Sequence, residues 1–464
     1  MNSGARVQIS SSPPDLLFLE GYVVMKENRN LAYAEVLSQL IQKETVSAYG
    51  QTDLTKFYEF HKLLENFFPK FFEKAEKEEF KGSLLFKLKG TDSSKNPVLF
   101  MSHHDVVEAP GEWKYPAFSG EIAEGKIWGS GTLDTKGNLW AILQAAEELL
   151  NDGFVPSRDI YFLTTRNEET NGDGANEISN TLKERGIHLD MVLDEGGMIV
   201  IDPIAGVKGK FAMIGLGEKG QADLKFTARS TGGHASTPGK NTPLVRLGKF
   251  MAEAEKSDIF ISEMPDAIYE MFRRMAPHMT GYMKTVFSNI NILKKPVTKL
   301  LPAINNTAGA MVKTTLAFTM AQGSDGRNVL PQEAWVVGNM RFSHHQGQKA
   351  SIEAAKQLAA KYDIETEVLE PGFPSPITDF KGDAFKLVEK AVENVFPDVV
   401  ASPYLMTAAS DSRFLSRVCD NCIRFAPFTI TNEQMSSVHG LNENLDVDTL
   451  AQAVDFFKFM MQEV

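Results

Sequence analysis

The sequence predicts an α/β protein, a doubly wound, mainly parallel sheet interrupted by an inserted α+β domain. Short apolar strands alternate with amphipathic helices over roughly the first two hundred residues, the pattern of strand–helix–strand units. Successive strands end in acids or in a His-x-Asp triplet, which places chemistry at the carboxyl edge of a sheet, where open α/β sheets bind ligands. From about Gly217 the pattern changes to alternation, and Ala222–Ala228 reads as a half-exposed strand of an antiparallel sheet. A chain of 464 residues exceeds what one core usually covers. We therefore read one domain over 1–215 plus 374–464 and an inserted one over 216–373.

The elements follow in order. Residues 1–30, with Ser10-Ser11-Ser12-Pro13-Pro14, carry little periodicity and read as an irregular start. Helical spacing runs from Leu31 to about Ile41 and again from about Leu54 to Phe67. Ser83–Leu88 reads as a strand, Lys89–Lys95 as a polar turn, and Pro97–Met101 as the next strand, opening onto Ser102-His103-His104-Asp105. Side chains alternate along extended chain, so His103 and Asp105 share a side and His104 faces the other. In Gly129-Ser130-Gly131-Thr132-Leu133-Asp134 two glycines permit a backbone course that aims an acid into a site. Asn138–Leu150 is a helix with an apolar stripe, stopped by Gly153. Strand Ile160–Thr164 runs into Glu168-Glu169, a helix covers about Ala175–Arg185, and strand Met191–Leu193 ends at Asp194-Glu195. In the inserted domain Gly232-Gly233-His234 is followed by two long helical segments and by strands near Thr314–Phe318 and Ala334–Phe342. Helix Ala384–Val395 returns to the first pattern, and His439-Gly440-Leu441-Asn442-Glu443 precedes a last helix.

Composition narrows the function. A hydrophobic content of 43% and a charged content of 23% are those of an ordinary globular chain. The net charge of −12 and pI near 5.4 argue against nucleic acid or an anionic membrane as partner. No apolar run is long enough to span a bilayer, and the first residues lack a basic start followed by an apolar stretch, so the expected location is cytoplasmic. Cys419 and Cys422 are too few for a disulfide framework or a four-thiolate zinc site.

Four separated loops offer His103 with Asp105, Asp134, Glu168 with Glu169, and Asp194-Glu195, and a late loop adds His439. Imidazole and carboxylate ligands without thiolate suit zinc, cobalt or manganese. An acid shared by two metals suits hydrolysis. Adjacent acids on extended chain point apart, so one of Glu168 and Glu169 can bind metal while the other faces a water.

On these residues the chain resembles the M20 family of metallopeptidases and aminoacylases, co-catalytic zinc hydrolases of clan H, and most of all its carboxypeptidase-S and N-acyl-amino-acid hydrolase branch. The resemblance runs from about Leu31 onward. It rests on Ser102–Val107, Gly129–Gly137, Glu168-Glu169, Leu193–Gly197, Gly233–Ser236, Asn328–Pro331, Asp411–Arg413 and His439–Glu443. It implies two divalent ions, zinc first and cobalt or manganese next. His103 with Glu195 or Asp194 would hold one, Glu169 with His439 the other, and Asp134 would bridge them. The ligand in the matching pattern lies two residues beyond the strand's last apolar residue, which favours Glu195. Glu168 would be the general base and Asp105 would orient His103. The inserted domain would be a ferredoxin-like lid that also forms a homodimer. From it His234 would stabilise the oxyanion, often across the dimer. Asn328, Arg341 and Arg413 would grip the substrate carboxylate and backbone. Ser130, Thr135 and Asn167 depart from the residues common in the family, at positions that bear on substrate preference rather than on the metals. His104, His344 and His345 have no role in this mapping.

The implied activity is cleavage of an amide next to a free carboxylate, in a dipeptide, a peptide C-terminus or an N-acyl amino acid. An aminoacylase without peptidase activity is the alternative. A catalytically dead binding protein is a third reading, disfavoured because a pure binder has no use for Glu168 beside the metals.

Overall fold

The computed structural model describes residues 26–304, 306–372 and 375–464. Of residues 1–30, read as an irregular start, 1–25 fall outside the described residues, as does the boundary at 373/374, while 26–30 differ from that reading and open the helix Lys26–Ile41. A large sheet runs in the order Glu76–Phe80, Ser83–Leu88, Ile160–Thr164, Val98–Met101, Met191–Asp194, Cys422–Arg424, Lys210–Glu218, Ile199–Ile201 and Thr429–Ile430, and Val399–Met406 also pairs with Lys210–Glu218. Its centre is parallel: Val98–Met101 lies between Ile160–Thr164 and Met191–Asp194, and Cys422–Arg424 continues it. The central strands are buried throughout and almost wholly apolar because helices cover both faces, leaving no solvent side to demand polar residues. Helices Lys136–Asn151, Leu450–Glu463 and Lys26–Ile41 pack together over one face, and Asp173–Glu184 with Ser412–Leu415 covers the other.

Most expected elements stand within a few residues of their predicted bounds. The strand Glu76–Phe80 was not foreseen, since Glu-Lys-Glu-Glu carries no apolar pattern. It is an edge strand, paired to Ser83–Leu88 through a tight turn in which Lys81 and Gly82 both take positive φ.

A second sheet, of four antiparallel strands, is ordered Thr315–Gln322, Glu333–Phe342, Gly220–Arg229, Glu365–Glu370. Helices Pro243–Lys256 and Gly347–Ala360 bury Leu247, Phe250, Ala355 and Leu358 against it, completing a ferredoxin-like βαββαβ arrangement. Between its first two strands the chain forms two longer helices, Pro243–Lys256 and Ile290–Ile304, together with the shorter Asp266–Met275, Gly281–Ser288 and Asn306–Val312. Pro277 and Gly281 break the helical run. The helices after Pro243–Lys256 send Met271, Phe272, Phe287 and Leu301 into the core of the large sheet rather than into that of the small one. Part of the stretch read as inserted therefore packs with the first domain.

Candidate active site

The site grows from the carboxyl ends of the parallel strands. Val98–Met101 is fully buried, and the chain leaves it at Ser102 carrying His103, which is also buried. The His103 Nδ1 faces the Asp105 backbone carbonyl at 3.0 Å and its carboxylate at 3.3 Å, so a proton on Nδ1 is held there and Nε2 is turned toward the acids of the site. Asp105 does more than orient that ring. Its two carboxylate oxygens accept the backbone N–H groups of Glu168 and Glu169 at 3.1 Å each, and one also accepts Ser47 Oγ at 2.6 Å. One aspartate thus ties the His103 strand end to the turn carrying both glutamates.

His104 turns away, as alternation requires. It stacks on Phe60, meets Phe57 and His61 edge-on, and contacts Thr164 Oγ1 at 2.8 Å. His344 and His345 lie by Ser375 and Ile261, outside the cluster.

Asp134 sits between two imidazoles: Oδ1 is 3.0 Å from His103 Nε2, and Oδ2 is 3.0 Å from His439 Nε2. Glu169 lies 2.9 Å from the same His439 nitrogen. Ligand atoms of His103, Asp134 and Glu169 fall within 4.8 Å of one another. Burial by itself raises the Asp134 carboxyl, yet hydrogen bonds to His103 and His439 hold it below its ordinary range. The same bonds, to Asp134 first and Glu169 second, push His439 up to about 11.

Of the pair beyond Met191–Asp194, Asp194 is already satisfied. Its oxygens accept the Glu195 N–H at 2.8 Å and the Ser412 N–H at 2.9 Å. Glu195 has no such partners among the described residues, and its carboxyl is pushed well above the usual range by burial and then by Asp194 and Asp134. Glu168 is raised likewise by burial, with Asp411, Glu195 and Glu169 adding to the shift and His103 opposing it. Burial lifts Asp411 to about 7. The acids of this cluster outnumber the cations near them, because Arg424 is already spent on Glu218 at 3.0 Å. Crowded, partly desolvated carboxylates with two imidazole nitrogens aimed among them form a donor set that fits divalent cations of the zinc type.

Sequence reasoning missed Glu443. Its buried carboxylate accepts the N–H of Leu133 at 2.7 Å, of Asp134 at 3.1 Å and of Gly131 at 3.2 Å, cradling the loop that presents Asp134. Its position closing His439-Gly440-Leu441-Asn442-Glu443 was the available signal.

The remaining predicted residues fall in two places. Arg413 and Arg341 lie near enough for their charges to act on each other, and Arg341 Nη1 is buried without a hydrogen-bond partner among the described residues. Two guanidiniums whose charges act on each other suit a carboxylate ligand. His234 and Asn328 lie together at a separate two-stranded ladder, Gly233–His234 with Val329–Leu330. Both are exposed, and Ala235 N–H donates to the Asn328 carbonyl at 2.9 Å. The His234 Nδ1 contacts Ser236 at 2.7 Å, and no bond joins either residue to the carboxylate cluster within this chain.

Fold and cluster together define the class: a peptidase or amidohydrolase built as a parallel-sheet domain with a ferredoxin-like companion. The peptidase family M20/M25/M40 matches residues 99–463, and this chain belongs to it. The chain is 32% identical over 447 residues to the N-fatty-acyl-amino acid synthase/hydrolase PM20D1 of Homo sapiens, covering 94% of this chain and 88% of that protein. It is 27% identical to carboxypeptidase S of Saccharomyces cerevisiae, over 92% and 82% of the two chains. Among solved structures, an M20 family metallo-carboxypeptidase from Sulfolobus solfataricus superposes with a TM-score of 0.66 at 17% identity, over 92% of this chain and 98% of the other.

Proposed function

We propose that the protein is a dinuclear metal-dependent hydrolase that cleaves the amide of an N-acyl amino acid. The observation that carries the metal reading is Asp134, whose two oxygens each face a different imidazole, as a carboxylate shared between two cations requires. His103 and Glu195 would hold one ion and Glu169 and His439 the other, with zinc the first expectation and cobalt or manganese next. Glu195 is preferred over Asp194 because both Asp194 oxygens already accept backbone N–H groups. When bound, the metals supply Lewis-acid polarisation and lower the pKa of a nearby water.

The chain's own residues do the rest. Glu168, held by its N–H on Asp105, takes a proton from the attacking water and returns it to the leaving nitrogen. Arg341 and Arg413 grip the free carboxylate of the amino acid. His234 and Asn328, presented on an exposed ladder, would reach the oxyanion and the substrate backbone of a partner subunit in a homodimer.

The N-acyl amino acid reading is supported by the likeness to PM20D1, and a carboxypeptidase reading by the likeness to carboxypeptidase S. The test is a panel of N-acyl amino acids, dipeptides and longer peptides assayed on chelated enzyme with zinc, cobalt or manganese restored. Loss on chelation, recovery with metal and preference for the acylated substrates is the expected result. Full turnover by protein shown to be metal-free would refute the metal mechanism, and preference for peptides would replace the substrate.

A further inference from the structure

From Met271 to Ser324 the chain carries no aspartate or glutamate and seven lysines and arginines, although the protein holds 60 acids and a net charge of −12. The centre of this stretch is the helix Ile290–Ile304. Its inner face buries Ile290, Val297 and Leu301. At about 3.6 residues per turn, Ile292, Pro296, Leu300 and Ile304 recur every fourth residue along the outer face. Ile292 is 77%, Leu300 57% and Ile304 74% exposed. Lys295 and Lys299 line one side of this stripe, both exposed. The neighbouring helix Gly281–Ser288 adds Tyr282, 81% exposed, and an exposed Lys284. Lys294 differs from these lysines, being turned onto Asp266 at 3.2 Å and over the Tyr269 ring.

We propose that this face docks on the surface of an anionic lipid bilayer. An exposed apolar stripe with a basic margin is the pattern of a helix lying in the interface, its apolar residues among the acyl chains and its lysines among the headgroups. Lys284, Lys295 and Lys299 form no ion pair among the described residues, so their charge is available to lipid. A second copy of the same face is a poorer occupant. A two-fold contact sets identical surfaces together, and this one has no acid to answer its lysines. Among the described residues no helix is long and apolar enough to cross a membrane, and the attachment proposed here is through this face alone. The average charge of the chain, which argues against anionic membranes, conceals a local segment of the opposite sign.

The test is sedimentation of the full chain with phosphatidylcholine vesicles, with and without phosphatidylserine, at low and high salt. Binding only to the anionic vesicles, weakened by salt, is expected. Lys295→Glu with Lys299→Glu should weaken it roughly thirtyfold or more, at about 1 kcal/mol for each lysine. Ile292→Ser with Leu300→Ser and Ile304→Ser should abolish it while leaving turnover of a short-chain soluble substrate unchanged. Because binding is read without turnover, it stands or falls apart from the substrate reading. Absence of binding to anionic vesicles at low salt overturns the proposal, as does binding that both sets of substitutions leave intact. A change of oligomeric state in the serine variant, without vesicle binding by the parent, would make the face an interface between copies.

Discussion

The proposed function gives the neighbours Glu168 and Glu169 opposite duties. Asp105 holds both of their N–H groups. Glu169 reaches His439, and Glu168 reaches none of the imidazoles. Replacing Glu168 by Gln preserves shape and removes the base. Turnover should fall by about 10²–10⁴-fold with metal content unchanged, as metal analysis beside steady-state rates would show. A second residue-scale prediction concerns His61, which is buried with Nε2 unpartnered and lies against Tyr58 and His104. Burial pushes its imidazole down to about 4 from an ordinary 6.5. The unfolded chain therefore binds the extra proton between those values. The stabilisation from keeping His61 neutral is complete above pH 6.5 and is lost as pH falls toward 4, at about 1.4 kcal/mol per pH unit. Urea midpoints at pH 7 and pH 5 should drop more for the wild type than for His61→Phe, and equal drops would refute the assignment.

At the scale of elements, the loop Gly129–Asp134 shows how a site is assembled from backbone. Gly131 takes φ +90°, and a Cβ there would stand 2.9 Å from Val106 Cγ1. The N–H groups of the loop converge on Glu443, which arrives from a segment some three hundred residues later. Gly131→Ala should cost about 1–2 kcal/mol for the left-handed conformation alone. Its larger effect should fall on metal affinity, because the loop cannot shift without moving Asp134 off His103 and His439. Thermal unfolding and metal titration on one preparation would separate the two effects. A variant with lowered stability and unaltered affinity would show that the loop does not position the ligand.

At the scale of the whole molecule, the ladder bearing His234 and Asn328 makes no bond with the carboxylate cluster of its own chain. If His234 serves a partner's site, His234→Ala and Glu168→Gln should each be nearly inactive alone. Mixed and allowed to exchange subunits, they should regain activity, since a hybrid dimer pairs an intact metal site with an intact His234. No recovery in verified hybrids would confine His234 to its own subunit or to no role. The long edge strand Thr315–Gln322, exposed along much of its length, leaves backbone groups of the smaller sheet open to such a partner.

What the sequence by itself determined is local and periodic. Apolar strands ending in His103, Glu168-Glu169 and Asp194-Glu195, and the switch to alternation near Gly217, are short-range patterns, and burial on one or both faces of a sheet writes them directly into composition. What only the tertiary structure decided depends on partners distant in the chain. That Asp105 anchors the glutamate turn, that Glu443 cradles the Asp134 loop, and that Asp194 is occupied by Ser412 are hydrogen bonds between remote segments, and no local periodicity records them. The helices after Lys256 were legible as helices, but not the core they join. An amphipathic stripe demands an apolar neighbour without naming it, and in this protein the large sheet supplies that neighbour to helices which the chain order assigns to the smaller one.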